Sequence, residues 1–386
     1  MILRRLLALA ILLLSLPIPG CGEEPSAPSV PETGYLYIGL VAPRSGYLDS
    51  LGWSLIRGAE MAVQAANAAG PKRPFKLLLE DETARIPDRR RLANDPRVAV
   101  IVGHVLERSL EKSAHLYISG GRTLILPVST SEKAPSLGRG RFFRLPASEV
   151  DQAAGLGVFA RDHLGSRRTL VIHEDTDAGH HAAKAFAKAL AKADEAEVRV
   201  EAFPGDQEDL ARLAQEAAAA PPQAVFLALP LRQALDAAQV LKNAGVHTVL
   251  LGAQNLALPE AVSLLGGLSE AMYISLPFDP THPGEALAEF LDLYQRTHHR
   301  PPAWPAVLTY DAVSLAAAVL AETGGRMDLA PRRLAAFNRP ELAYKGLAGD
   351  YYFQKGGGQG PVSVVRAGPE IMGYLPCLGE SCEPKK

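Results

Sequence analysis

Three cysteines in 386 residues are too few for a disulfide framework or a multi-cysteine metal cluster. Charge of one sign is equally scarce: 40 basic residues face 42 acidic ones, a formal balance of −2 with the two signs interspersed. That balance excludes the basic surface a nucleic-acid partner requires. No nucleophile elbow (Gly-x-Ser-x-Gly), His-Glu-x-x-His pair or phosphate-binding Gly-x-x-x-x-Gly-Lys loop occurs. The glycine-rich run at 356–360 lies between two strand-like segments instead of ahead of a helix, so it is expected to be a turn. The sequence therefore predicts no enzyme and no cofactor.

A membrane-spanning segment is also missing. The apolar run at 6–16 is shorter than the roughly 20 residues a bilayer needs, and Pro17 and Pro19 follow it. With Arg4 and Arg5 ahead of it and small or turn-forming residues behind, residues 1–20 have the layout of a secretory signal peptide. Leu16-Pro17-Ile18-Pro19-Gly20-Cys21 resembles a bacterial lipobox, which predicts lipidation of Cys21 and attachment to a membrane through lipid alone, on the periplasmic side of the envelope. Residues 21–33 are too polar and proline-rich to bury a core and are expected to be a flexible tether. Removing Cys21 to lipid leaves Cys377 and Cys382, which suit one small disulfide in a tail at 377–386. The competing metal or haem reading lacks a second cysteine pair and the Cys-x-x-Cys-His pattern.

The remaining body of some 350 residues suits two hydrophobic cores better than one. Short apolar runs alternate with amphipathic stretches, the pattern of parallel sheets covered by helices. Strands are predicted over 35–42, 75–80, 98–103 and 123–128, and a second set over 169–173, 198–203, 224–229, 248–252 and 272–276. Helices are predicted over 51–69, 182–192, 231–244, 285–297, 304–322 and 331–337, and the first puts Leu55, Ala59, Ala62, Val63 and Ala66 on one face. An antiparallel pair over 349–354 and 362–366 is expected around Gly356-Gly357-Gly358. The chain should cross between halves near 145–150, near 277–280 and near that pair. The expected organisation is α/β, with two doubly wound parallel-sheet lobes joined by a three-strand hinge: 34–146 plus 277–345 in lobe 1, and 147–276 plus 346–376 in lobe 2. Ligands of open parallel sheets bind beyond the carboxyl ends of the strands, so a cleft is expected where the two sets of loops meet.

Several segments carry a family resemblance: Ile38-Gly39-Leu40-Val41-Ala42-Pro43-Arg44-Ser45-Gly46, Arg57-Gly58-Ala59-Glu60-Met61-Ala62, Val100-Ile101-Val102-Gly103-His104, Leu126-Pro127-Val128-Ser129-Thr130, Ile172-His173-Glu174-Asp175, Leu251-Gly252-Ala253-Gln254 and Thr309-Tyr310-Asp311-Ala312. In this order and spacing the chain resembles the periplasmic leucine/isoleucine/valine-binding proteins and their amide- and urea-binding relatives, which have the type I periplasmic-binding fold. The resemblance implies a solute-binding protein that delivers its cargo to the membrane permease of an ABC transporter.

It also implies that Val128, Ser129 and Thr130 line one wall, with the Thr130 hydroxyl touching the ligand. A second reading makes Ser129-Thr130-Ser131-Glu132 a capping box for the next helix, and the two are compatible. Glu107 and Arg108 occupy the place of a small serine, Gln254 that of an acid facing a ligand ammonium, and Ala178 that of a covering tyrosine. Asp175 belongs to the same strand-end loop as Ala178, and Ser45 and Trp53 flank the cleft from the first lobe. Three altered contacts predict a small polar ligand other than a simple branched-chain amino acid. Trp304, Tyr310 and Phe278 are expected in packing more than in contact, and Tyr47 and Leu48 to shape a loop. The cluster His173, Asp175, Asp177, His180 and His181 has ligand-type side chains, but solvated helix ends account for it more simply, and no metal site is predicted. The same losses would fit an envelope scaffold, a regulatory lipoprotein or a sensor subunit that uses this fold to bind a protein.

Overall fold

The computed structural model describes residues 34–84, 90–191, 196–203, 205–257, 261 and 272–367. Cys21, Cys377 and Cys382 lie outside them. The strands of the first half are β1 (Leu36–Ala42), β2 (Phe75–Asp81), β3 (Val98–Val102), β4 (Thr123–Leu126) and β5 (Phe142–Arg144). The second half has β6 (Arg168–His173), β7 (Glu197–Ala202), β8 (Ala224–Ala228), β9 (Val249–Gly252) and β10 (Met272–Leu276). Near the end come β11 (Tyr344–Lys345), β12 (Asp350–Tyr351), β13 (Phe353–Gln354), β14 (Gly357–Gly358) and β15 (Ser363–Arg366). The first sheet has the order β13-β14-β5-β4-β3-β1-β2 and the second β15-β10-β9-β8-β6-β7. Strands β1–β5 pair parallel throughout, as do β6–β10. These are the two parallel-sheet α/β lobes of the type I periplasmic-binding fold.

The helices are α1 (Asp49–Ala68), α2 (Arg91–Asn94), α3 (Glu107–Ser119), α4 (Ala134–Leu137), α5 (Glu149–Asp162), α6 (Asp177–Leu190), α7 (Gln207–Ala219), α8 (Leu231–Asn243), α9 (Glu285–His298), α10 (Trp304–Thr323) and α11 (Leu329–Ala335). Every residue of β3 is buried, as expected of a central strand covered on both faces. Helix α10 is apolar around most of its circumference because α1 covers one side and the first sheet another. The contact with α1 is backbone-close: a Cβ on Gly58 would lie 2.2 Å from the Ala306 carbonyl oxygen, so only glycine fits there.

Three connections pass between the sheets: 145–148 from β5 to α5, 277–284 from β10 to α9, and 359–362 from β14 to β15. The last departs from the expected layout. Residues 349–354 and 362–366 do not pair with each other. The turn glycines are themselves a strand, β14, which pairs antiparallel with β13 and parallel with β5, so 353–358 belongs to the first sheet. β15 joins β10 in the second sheet. The missing side chains are the reason: a Cβ on Gly358 would sit 2.2 Å from the Arg144 carbonyl oxygen, and one on Gly356 would sit 2.5 Å from that of Phe142.

Asp311 fastens this returning segment to the core. Buried in α10, it accepts hydrogen bonds from the Leu347 and Ala348 backbone N–H groups at 2.7 and 2.9 Å and from the Tyr351 hydroxyl at 2.8 Å. Burial outweighs these bonds and pushes its pKa up to about 6. Folding thus favours the protonated carboxyl, and the stability this group supplies is present in acid and lost as pH rises through about 6. A shift of this size corresponds to roughly 3 kcal/mol. Asp311→Asn should remove that dependence. Urea midpoints at pH 4.5 and pH 7, wild type minus variant, should show wild type relatively more stable at the lower pH; an identical difference at both would contradict the assignment.

Candidate functional site

The loops at the carboxyl ends of both sets of strands meet along one seam. On the first side, the loop after β3 is held by Glu82, a buried carboxylate. Glu82 accepts the N–H groups of Val105 and Leu106 at 3.0 and 2.8 Å, and its Oε1 lies 3.0 Å from His104 Nδ1. His104 Nε2 in turn lies 2.9 Å from the Tyr117 hydroxyl. This anchored loop delivers Glu107 to the first turn of α3, where the helix dipole favours a carboxylate. The loop after β4 supplies two hydroxyls: Ser131 donates to Glu107 Oε1 at 2.6 Å, and Thr130 hydrogen bonds the Glu149 side chain. The capping-box alternative for 129–132 does not hold, since α4 has no side-chain cap and these hydroxyls serve the two glutamates.

On the second side, α5 starts with a capping box in which Ser148 and Asp151 satisfy each other's backbone N–H groups. Glu149, the next residue, is therefore free of capping duty; its N–H donates to the Thr130 carbonyl at 3.0 Å. Burial, and then the neighbouring charge of Glu107, push the Glu149 pKa upward, against hydrogen bonds from Glu132 and Thr130 and attraction to Arg144. Gly179 lets α6 begin tight against its own loop, since a Cβ there would lie 2.1 Å from the Glu174 carbonyl oxygen.

A chain of neutral groups closes the floor. Ser275 donates to Gln152 Oε1 at 3.0 Å, Gln152 Nε2 donates to Gln254 Oε1 at 3.3 Å, and Gln254 Nε2 crosses to the Val128 carbonyl at 3.2 Å. At the rim, Lys133 lies 3.4 Å from Asp177 and His181 lies 3.9 Å from Glu132, both pairs exposed.

Between these walls is a cavity of about 420 Å³. Of the residues singled out from sequence, Glu107, Val128, Thr130, Ala178 and Gln254 line it. The others do not. Ser45 is exposed and hydrogen bonds Thr83 at 2.7 Å; Trp53 is 47% exposed on α1; Arg108 and Asp175 face solvent, and Ser129 is half-buried outside the lining. Arg108 therefore gives Glu107 no compensating charge inside the cavity. Glu149, Gln152, Glu174, Phe226, Asn255 and Trp304 line it without having been selected. The Ser148-x-x-Asp151 capping box just after a crossing was the available signal for Glu149 and Gln152, because it starts a helix at the seam. Trp304 is 6% exposed, and its indole Nε1 is buried without an acceptor. Among the described residues, no three His, Cys, Asp or Glu side chains are grouped to hold a metal ion.

Two facing α/β sheets joined by three connections, with a cavity at the seam, define a two-lobed solute-binding architecture. Residues 36–367 match the family model of the periplasmic binding proteins, and the chain belongs to that family. It is 24% identical over 304 residues to the leucine-, isoleucine-, valine-, threonine- and alanine-binding protein of Pseudomonas aeruginosa, covering 74% of this chain and 78% of that protein. A solved ABC transporter substrate-binding protein from Desulfitobacterium hafniense in complex with Leu superposes with a TM-score of 0.72 at 23% identity, over 86% of this chain and 96% of that one. An ABC transporter solute-binding protein from Rhodopseudomonas palustris, in complex with 3,4-dihydroxybenzoic acid, gives 0.70 at 17% identity, over 86% and 93%.

Because Gln254 spends both ends of its amide on the floor, Gln254→Ala should remove a bond that ties the two sides together. The ligand-free variant should show a larger radius of gyration than wild type by small-angle scattering. An unchanged radius would mean that this bridge does not hold the halves.

Proposed function

We propose that the protein captures a small polar solute between its two lobes on the periplasmic side of the envelope, anchored by lipid on Cys21, and passes it to an ABC-type permease. The observation that carries this reading is the cavity of about 420 Å³ at the seam, a size suited to a small molecule and walled by both halves. A ligand that touches both walls stabilises the closed arrangement over an open one, and closure is then the state a permease recognises. The proposed ligand is not a simple branched-chain amino acid. Gln254, in the place where the resemblance puts an acid for the ligand ammonium, is engaged with Gln152 and Val128, and Ala178 supplies no covering ring. Family membership and the absence of a catalytic motif support a binding role over an enzymatic one.

The test is native mass spectrometry of protein purified gently from its own host, followed by a thermal-shift screen of small polar metabolites. A retained small molecule, released on unfolding, and a rise in melting temperature with that compound are expected. No retained molecule and a silent screen, with a protein partner recovered instead, would overturn solute capture in favour of a scaffold.

A further inference from the structure

The charge of the cavity is one-sided. Glu107 reaches it from the first half and Glu149 and Glu174 from the second, while no lysine, arginine or histidine is among the described residues that line it. Arg144 attracts Glu149, but it is buried behind the wall and its guanidinium donates to the Pro146 carbonyl at 2.8 Å. Lys133 and His181 are at the exposed rim, already facing Asp177 and Glu132. The dipoles of α3 and α5 offset part of the carboxylate charge, on the order of half a unit per helix end. A balance of negative charge is left on the lining, carried by half-buried Glu149 and Glu174 and by exposed Glu107. Glu107 and Glu149 line the cavity from opposite halves, so a positive charge bound between them would meet both carboxylates. Trp304 also lines the cavity and is more than nine-tenths buried.

We propose that the cavity takes a small organic cation lacking a carboxylate, with its ammonium or guanidinium group between Glu107 and Glu149. This rests on the solute-capture reading above and names its ligand class. A zwitterion or an organic acid would bring its carboxylate into a space that already holds three and that offers no cationic side chain to pair with it.

The experiment compares compounds of nearly one shape and different charge on the full mature protein, stripped of retained solute. The probes are leucinamide, which is cationic and has a neutral carbonyl; leucine, a zwitterion; and 4-methylpentanoate, an anion. Agmatine and choline extend the cation set. Calorimetry at pH 7 should give binding for at least one cation, and leucinamide should bind more tightly than leucine and 4-methylpentanoate. Glu107→Gln and Glu149→Gln should each weaken the cation by about tenfold or more.

Tighter binding of leucine or 4-methylpentanoate than of any cation, or a retained solute that is anionic, overturns the charge assignment and leaves solute capture standing. Silence of every probe together with no retained solute overturns both readings.

Discussion

Setting two parallel sheets carboxyl end to carboxyl end forces helix starts, with their unpaired N–H groups, into one narrow space. Acidic side chains collect there because the helix ends favour them, as Glu107, Glu149 and Asp177 at the starts of α3, α5 and α6 show. Crowding them has a cost, since like charges near one another repel, and Glu149, the most buried of the three, also loses hydration. The molecule meets it locally: hydroxyls of Thr130 and Ser131 bond the two glutamates, and Glu82 fixes the loop that carries one of them. What the protein leaves open is the space between.

The contacts that span the seam are modest. The bridge from Gln254 to Val128 is one neutral hydrogen bond, worth about 1 kcal/mol net. The rim pairs Lys133–Asp177 and His181–Glu132 are exposed, and such pairs contribute roughly 0–1 kcal/mol each. Each half, by contrast, has its own covered sheet. Weak polar ties across the seam suit a protein whose closure is decided by what it binds, because a ligand shifts an equilibrium only by its differential affinity for the two states.

The alternation of apolar runs made both sheets legible in the chain, and the buried β3 and β8 fell where continuous apolar stretches placed them. Three-residue β5 escaped because so short a run has no periodicity to detect. The glycine run reads as a turn because it lies between two strand-like segments; pairing against β5 makes Gly357 and Gly358 a strand instead. At the site, residues directly after a strand were found, as with Val128, Thr130 and Gln254. Glu149 and Gln152 follow a crossing, not a strand, so only the Ser148-x-x-Asp151 helix start marks them, and Trp304, at the start of a core helix, reads as packing. Ser45 and Trp53 differ in the opposite way: the loop after β1 and the start of α1 lie close to the seam in sequence logic, but both side chains face solvent.

The central claim, that the halves close on a small solute, is tested most directly by the distance between them. Spin labels at Ser136 and Lys184, exposed positions on opposite sides of the seam, report it by pulsed electron resonance in protein stripped of ligand and then given back the solute it retained. Closure predicts a shorter mean distance and a narrower distribution on adding the solute. The same distribution with and without it would contradict the account.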